Sequence, residues 1–341
     1  MTQATKYGKD DFAADGEVRW CPGCGDYSIL AQVQRVMPEI CEQLQLQREN
    51  IVFISGIGCS SRFPYYMKTF GFHTIHGRAP AIATGLQLTR PDLQVWVVTG
   101  DGDGLSIGTN HIVHCLRRNI NVRILLFNNR IYGLTKGQFS PTSEKGKLTK
   151  SSPMGSIEHP INPVSFAIAS EATFVARAIA TDTANLRQIL LRAARHRGSA
   201  FVEILQNCNV FNDGAFDSFA ASAVRSERCI FLGHGQPLTF GAKGDRAISL
   251  RAGHPEIVNV ADHPETRLLR FKEDSAHPGV AYMLSQLDEQ DFPVPMGVFR
   301  CVEKELYGEA LDDQVERAVS RRGKGDYHQH IRSGETWEVY S

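Results

Sequence analysis

Val95-Trp96-Val97-Val98-Thr99-Gly100-Asp101-Gly102-Asp103 joins an apolar run to an acidic, glycine-rich turn, and Asn128-Asn129 follows a second apolar run, residues 122–127. Short apolar runs of this kind read as strands buried on both faces. A helix over roughly residues 106–118 fits between them, so the segment reads as one βαβ crossover. Both polar clusters then fall at the carboxyl ends of parallel strands, where open α/β sheets bind their ligands. Mg²⁺ favours near-octahedral oxygen ligation shared among protein oxygens, water and phosphates. Asp101 offers a carboxylate and Asn129 an amide oxygen without added charge. Glycines at 100, 102 and 104 would let backbone N–H groups approach phosphate oxygens. The pair reads as a site for a magnesium-bound diphosphate.

Working outward, residues 27–37 show helical spacing, with Asp26 as N-cap and Pro38 as terminator. Residues 51–55 read as a buried strand running into Gly56-Ile57-Gly58-Cys59-Ser60-Ser61. Residues 79–89 read as a helix, 163–170 as a helix, 173–178 as a strand, 183–196 as a helix and 201–205 as a strand. The aperiodic stretch 133–163 beside Asn129 reads as a lid, since long loops in compact domains are commonly functional. Residues 1–18 read as a mobile arm, 19–224 as the ligand-binding domain, and 225–341 as an irregular extension serving a subunit interface. Within that extension, 247–250 and 257–260 look like strands and 281–287 like a short helix. The expected fold is α/β: a doubly wound, mostly parallel sheet with helices on both faces.

The chain has 341 residues, enough for a sizeable core, with 37 Lys plus Arg against 37 Asp plus Glu. No net field draws it to nucleic acid or anionic lipid. No apolar run approaches the roughly 20 residues of a membrane span, and residues 1–18 lack the apolar core of a secretory signal. A cytoplasmic location follows as the default. There the eight cysteines stay mostly reduced, so clustered thiols suit metal ligation better than disulfides.

Cys21 and Cys24 form a Cys-x-x-Cys within Trp20-Cys21-Pro22-Gly23-Cys24-Gly25-Asp26. Cys59 follows the strand at 51–55 and Cys208 follows the strand at 201–205, at the same sheet edge as Asp101 and Asn129. Four soft thiolates select an iron–sulfur cluster or Zn²⁺. Cys41, Cys115, Cys229 and Cys301 lack such company and read as core thiols.

The Gly-Asp-Gly and Asn-Asn elements resemble the diphosphate-binding motif of thiamine diphosphate (TPP) enzymes. Together with Trp20 to Asp26, Gly56 to Arg62, His76-Gly77-Arg78 and the stretch Asn128 to Gln138, they resemble the beta subunit of a 2-oxoacid:ferredoxin oxidoreductase, over roughly residues 15–220. The resemblance implies a TPP-binding, pyrophosphate-type domain. It assigns Cys21, Cys24, Cys59 and Cys208 to a [4Fe-4S] cluster, and Asp101, Asn129 and the Ile131 carbonyl to Mg²⁺. Ile57, Gly58, Cys59, Ser60, His76, Gly102, Asp103, Gly133 and Leu134 would line the coenzyme. Lys136 would meet the carboxylate of the 2-oxo acid, its ammonium suiting an anion.

The implied reaction is oxidative decarboxylation of a 2-oxo acid, chiefly 2-oxoglutarate to succinyl-CoA, with coenzyme A as co-substrate and ferredoxin as acceptor. No carboxylate in this chain is clearly placed to promote ylid formation, so a separate alpha subunit is expected to supply it. Two other readings stand beside this one: a non-oxidative TPP decarboxylase or synthase, and a zinc-stabilised module without catalysis.

Overall fold

The computed structural model describes residues 6–264 and 268–340. Eight strands form the main sheet: β1 (Ile51–Ser55), β2 (Phe70–His73), β3 (Gln94–Gly100), β4 (Val122–Asn128), β5 (Phe174–Ile179), β6 (Ala200–Leu205), β7 (Cys229–Leu232) and β11 (Val294–Cys301). Their order is β2-β1-β3-β4-β6-β5-β11-β7. The first six run parallel, and β11 pairs antiparallel to β5 and parallel to β7. Strands β1, β4, β5 and β6 are buried along their whole length, as their mainly apolar sequences require, and the charges they carry into the interior are bonded there: Arg123 to backbone carbonyls and Arg177 to Glu203.

The helices are α1 (Asp26–Leu44), α2 (Ala79–Thr89), α3 (Asp101–Gly104), α4 (Thr109–Arg117), α5 (Pro163–Ala169), α6 (Thr183–Arg195), α7 (Asp217–Ala220), α8 (Arg225–Arg228), α9 (Gly279–Ser285), α10 (Tyr307–Arg322) and α11 (Tyr327–Ile331). One core joins α1 and α6 to one sheet face through Ile29, Val33, Met37, Leu186 and Leu190 packed on Phe53, Trp96 and Phe174. The other face is covered by α2, α4, α5 and α9, with Ala83, Ile112, Val164 and Leu284 in its core. The doubly wound α/β expectation is thus met. No helix among the described residues is long and apolar enough to cross a membrane.

Three local expectations change. Pro38 does not end α1, which continues to Leu44. Its missing N–H forfeits one helical bond, while Ile40 and Cys41 beyond it continue the buried stripe and outweigh that loss. Asp26 is not the N-cap: Gly25 occupies that position, and the Asp26 carboxylate turns inward. Residues 6–18 are not a mobile arm. Phe12 is fully buried, and Ala13 bridges to Met67; residues 1–5 lie outside the described residues.

Beyond Arg225 the chain supplies β7 and β11 to the main sheet. It also forms a separate antiparallel sheet, order β10-β9-β8, from β8 (Thr239–Phe240), β9 (Arg246–Arg251) and β10 (His254–Asn259). Helix α10 buries no residue of its own.

Candidate functional site

Strands β3 and β4 end side by side, Gly100 pairing with Phe127. Asp101 to Gly104 then form the single helical turn α3 rather than an open loop. None of Gly100, Gly102 and Gly104 has a positive φ, so they are not there for unusual backbone angles. Gly102 is required by packing: a β-carbon there would lie 2.3 Å from the Tyr132 ring.

Asp101 is buried, and its Oδ2 accepts hydrogen bonds from Ser140 Oγ and Thr142 Oγ1, each at 2.6 Å. Oδ1 accepts no side-chain hydrogen bond among the described residues. Burial raises the Asp101 pKa against these donors. Asn129 Oδ1 accepts from the Ile131 backbone N–H at 3.1 Å, setting the turn that carries Ile131 and Tyr132 to the pocket.

Asp103 borders the pocket, and it also ties the surrounding loops together. Its carboxylate accepts from Ile57 N–H (3.1 Å), Gly77 N–H (2.7 Å) and Thr99 Oγ1 (2.6 Å). It therefore clamps the loop after β1 and the His76 turn to the end of β3. His76 Nδ1 lies 2.7 Å from Asp103 Oδ1, misaligned for a hydrogen bond.

These elements enclose one pocket. Ile57, Gly58, Cys59, Ser60, His76, Gly102, Asp103, Gly133 and Leu134 all line it, with Asp101, Asn129 and Ile131. Ser60 Oγ is buried there without a hydrogen-bond partner. An orphaned hydroxyl on the wall of a pocket floored by Asp101 fits a diphosphate with its cation.

Lys136 is exposed and does not line the pocket. It holds φ of 78°, uncommon for a residue with a β-carbon, and its N–H bonds Gly133 O at 3.0 Å. The supposed lid is pinned at its root: Ser140, Thr142 and Ser143 are buried, and only its outer part carries exposed Leu148, Met154 and Ile157.

The four predicted thiols come from three loops tied to one another. Trp20 Nε1 donates to Cys59 O at 2.7 Å, Asn209 Nδ2 donates to Pro22 O at 2.6 Å, and Gly25 N–H donates to Asn207 O at 3.1 Å. Gly23 holds the Cys-x-x-Cys turn at φ of 80°, against Asn209. Gly133 spans the other side: a β-carbon there would lie 3.5 Å from Cys59 Sγ and 3.6 Å from Cys208 Sγ. The same glycine lines the pocket, so thiols and pocket share a wall.

Burial, then Asp26 and the thiols Cys208 and Cys21, push Cys59 up to about 12. Cys24 is raised by burial first, with Asp26, Cys208 and Cys59 adding to it. Left alone these thiols stay protonated, and only a cationic centre would ionise them. No group of three or more His, Cys, Asp or Glu among the described residues converges tightly enough to hold a single metal ion.

Sequence reading missed Asp26 and Gln206 as site residues. Asp26 is fully buried behind the thiols, its Oδ1 accepting from Gln206 Nε2 at 2.8 Å, and burial pushes its carboxyl up to about 7. Gln206 also lines the pocket. The signal was an aspartate in the first turn of a buried helix, and only its surroundings distinguish it from a cap. Cys41, Cys115 and Cys229 are buried and Cys301 half-buried, and none of them lines the pocket that Cys59 lines.

Residues 56–204 match the family model for the C-terminal TPP-binding domain of thiamine pyrophosphate enzymes. The 2-oxoglutarate oxidoreductase subunit KorB of Mycobacterium tuberculosis is 53% identical over 341 residues, covering 99% of this chain and 90% of that protein. The beta subunit of 2-oxoacid:ferredoxin oxidoreductase 1 from Aeropyrum pernix is 48% identical over 194 residues, 57% of this chain and 60% of its own length. Among solved structures, a 2-oxoglutarate:ferredoxin oxidoreductase from Magnetococcus marinus, with 2-oxoglutarate, coenzyme A and succinyl-CoA bound, matches with a TM-score of 0.75 at 30% identity, covering 98% of each chain. A pocket built from the ends of β3 and β4, a family model spanning those strands and a relative alike along nearly the whole chain lead to one assignment: this chain belongs to the beta subunits of the 2-oxoglutarate and 2-oxoacid:ferredoxin oxidoreductases.

Proposed function

We propose that this chain holds TPP, Mg²⁺ and a [4Fe-4S] cluster, and that with an alpha subunit it oxidatively decarboxylates 2-oxoglutarate to succinyl-CoA, passing electrons to ferredoxin. One observation carries the reading: Cys59 lines the pocket floored by Asp101 while its thiol senses those of Cys208 and Cys21. Cys24 and Cys59 each feel other thiols of the set, as the ligands of one inorganic centre would.

When bound, TPP supplies the electron sink for decarboxylation and an iron–sulfur cluster a one-electron relay. The residues of this chain position and screen. Asp101 Oδ1, Asn129 and Ile131 would hold Mg²⁺, while the Ser140 and Thr142 hydroxyls orient the Asp101 carboxylate. Ser60 would donate to the diphosphate, and His76 would face it while held against Asp103. Lys136 would attract the substrate carboxylate from its strained turn. Tyr65, Phe70 and Ile75 lie exposed on the segment between Cys59 and His76, both of which line the pocket, and they would pack against the alpha subunit.

The test is anaerobic co-expression with the alpha subunit, followed by iron, sulfide and TPP analysis. A screen of 2-oxo acids with coenzyme A and a viologen dye then reports turnover. Iron with sulfide, absorbance near about 400 nm and preference for 2-oxoglutarate are expected. Zinc without iron, or turnover unaffected by serine at 21, 24, 59 and 208, would overturn the proposal.

A further inference from the structure

The sheet edge opposite the coenzyme pocket carries a cluster of cations. There β11 is bulged: Val298 pairs with Ala176 and Arg300 with Val175, leaving Phe299 between them without a ladder partner. A bulge re-aims the side chains around it and often borders a functional site. Here Phe299 packs into the core while Arg300, only 5% exposed, forms part of the wall of two cavities. The larger, about 760 Å³, is also lined by Arg192, Arg195, Arg197 and Lys304. The smaller, about 150 Å³, includes Lys272. The larger falls within the size range of small-molecule sites.

Three of the cations lining the larger cleft are answered from within the chain. Arg192 pairs with Glu273 at 2.7 Å, Lys304 with Glu171 at 2.5 Å, and Arg197 with Glu309. Arg195 and Arg300 form no salt bridge among the described residues, although Glu171, held by Lys304, also feels the charge of Arg300. Arg195 gives only Nε to the Leu191 carbonyl, at 3.2 Å. Arg300 is the sharper case: Nε and Nη1 are buried with no hydrogen-bond partner at all. The acids lining the larger cleft are Asp274 and Glu303, two against five cations.

A guanidinium keeps its charge, and a buried one with two donor atoms left unbonded is a costly, incomplete arrangement. An oxyanion entering from the cleft would complete it. Carboxylate and phosphate both match the planar fork of arginine. The cleft includes Phe174, at the amino end of β5, and Cys301, at the carboxyl end of the antiparallel β11. The coenzyme pocket lies at the carboxyl ends of β3 and β4, so the two sites are separate.

We propose that this cleft is a second ligand site, for a small soluble oxyanion borne by a phosphate ester or a polycarboxylate, with Arg300 as its buried anchor and Arg195 at its mouth. The site lies far from the reacting atoms, which suits regulation rather than turnover.

Calorimetric titration of the full-length protein with inorganic phosphate, and separately with citrate, tests this at ionic strength matched with sodium chloride. The coenzyme pocket also attracts phosphate, so the deciding quantity is the difference between the native protein and its variants. Saturable binding of at least one anion is expected, weakened at least about tenfold by Arg300→Met and several-fold by Arg195→Gln. Phosphate alone, citrate alone or both would each support the site and name the preferred chemistry. In anion-free buffer Arg300→Met should melt no lower than the native protein, since it sheds a buried charge. Should Arg300→Met fail to fold, the exposed Arg195→Gln variant decides alone. Absence of saturable binding, or variants that bind as the native protein does, would overturn the proposal.

Discussion

The Tyr132 hydroxyl donates to the Gly102 carbonyl oxygen at 2.7 Å, and its ring fills the space a β-carbon on residue 102 would occupy. The acidic turn and the aromatic ring therefore form one unit. Gly102→Ala is expected to push the ring away, costing about 1–3 kcal/mol of stability through overpacking. TPP retention should fall with it. Denaturant melts and equilibrium dialysis check both, and a second substitution, Tyr132→Ala, should recover part of the lost stability. A single variant as stable and as retentive as the native protein would contradict this packing.

Asp101→Asn separates the stability of the apoprotein from its capacity for metal. The folded state raises the Asp101 pKa, so its charged form weakens the apoprotein as pH rises above the ordinary carboxylate value. The neutral amide should therefore melt at or above the native temperature at neutral pH without metal. It should also lose the rise in melting temperature that Mg²⁺ with TPP gives the native protein. Equal ligand-induced shifts in the two proteins would remove Asp101 from the metal site.

The thiol set should divide cleanly from the core cysteines. Serine at Cys59 or Cys208 is expected to abolish the absorbance near about 400 nm and to lower bound iron, with the fold retained. Cys115→Ser, within the apolar core, should leave iron content unchanged and lower stability instead. Iron content and melting temperature measured side by side distinguish the two outcomes.

Acid sensitivity should trace partly to His196. Burial, then Arg123 and Arg192, push its imidazole from 6.5 down to about 4. The unfolded chain therefore takes up this proton first as pH falls below 6.5, and the folded state loses stability until about pH 4. The loss over that window is expected to reach up to about 3 kcal/mol. Below it, this contribution levels off. A His196→Gln variant, whose amide keeps a polar partner for Thr173 Oγ1, should show a shallower decline. Parallel pH–stability curves for the two proteins would rule this residue out.

The central crossover was legible because its physics is local. The runs at β3 and β4 are apolar but for Arg123, and the polar residues closing them sit where parallel strands expose ligand-binding turns. The bounds of β1 and α2 emerged as read, since β1 is a short apolar run stopped by Gly56 and α2 ends just before Arg90-Pro91. Strand β11 was not legible: Pro295 and Gly297 interrupt its pattern. Pro295 nonetheless sits where only β7 is its neighbour, because pairing with β5 begins at Gly297, so its missing N–H breaks no bond to β5. The full burial of Phe12 and the Asp26–Gln206 link depend on residues distant in sequence, and no local pattern encodes them.

The late arrival of β11 has a consequence for biosynthesis. Strand β5 ends at Ile179, yet its outer side is covered only by residues 294–301. During translation the nascent sheet thus presents a naked ladder of amides and carbonyls, a template for adhesion to other chains. Products ending before residue 294 should accordingly collect in inclusion bodies, however complete their catalytic loops.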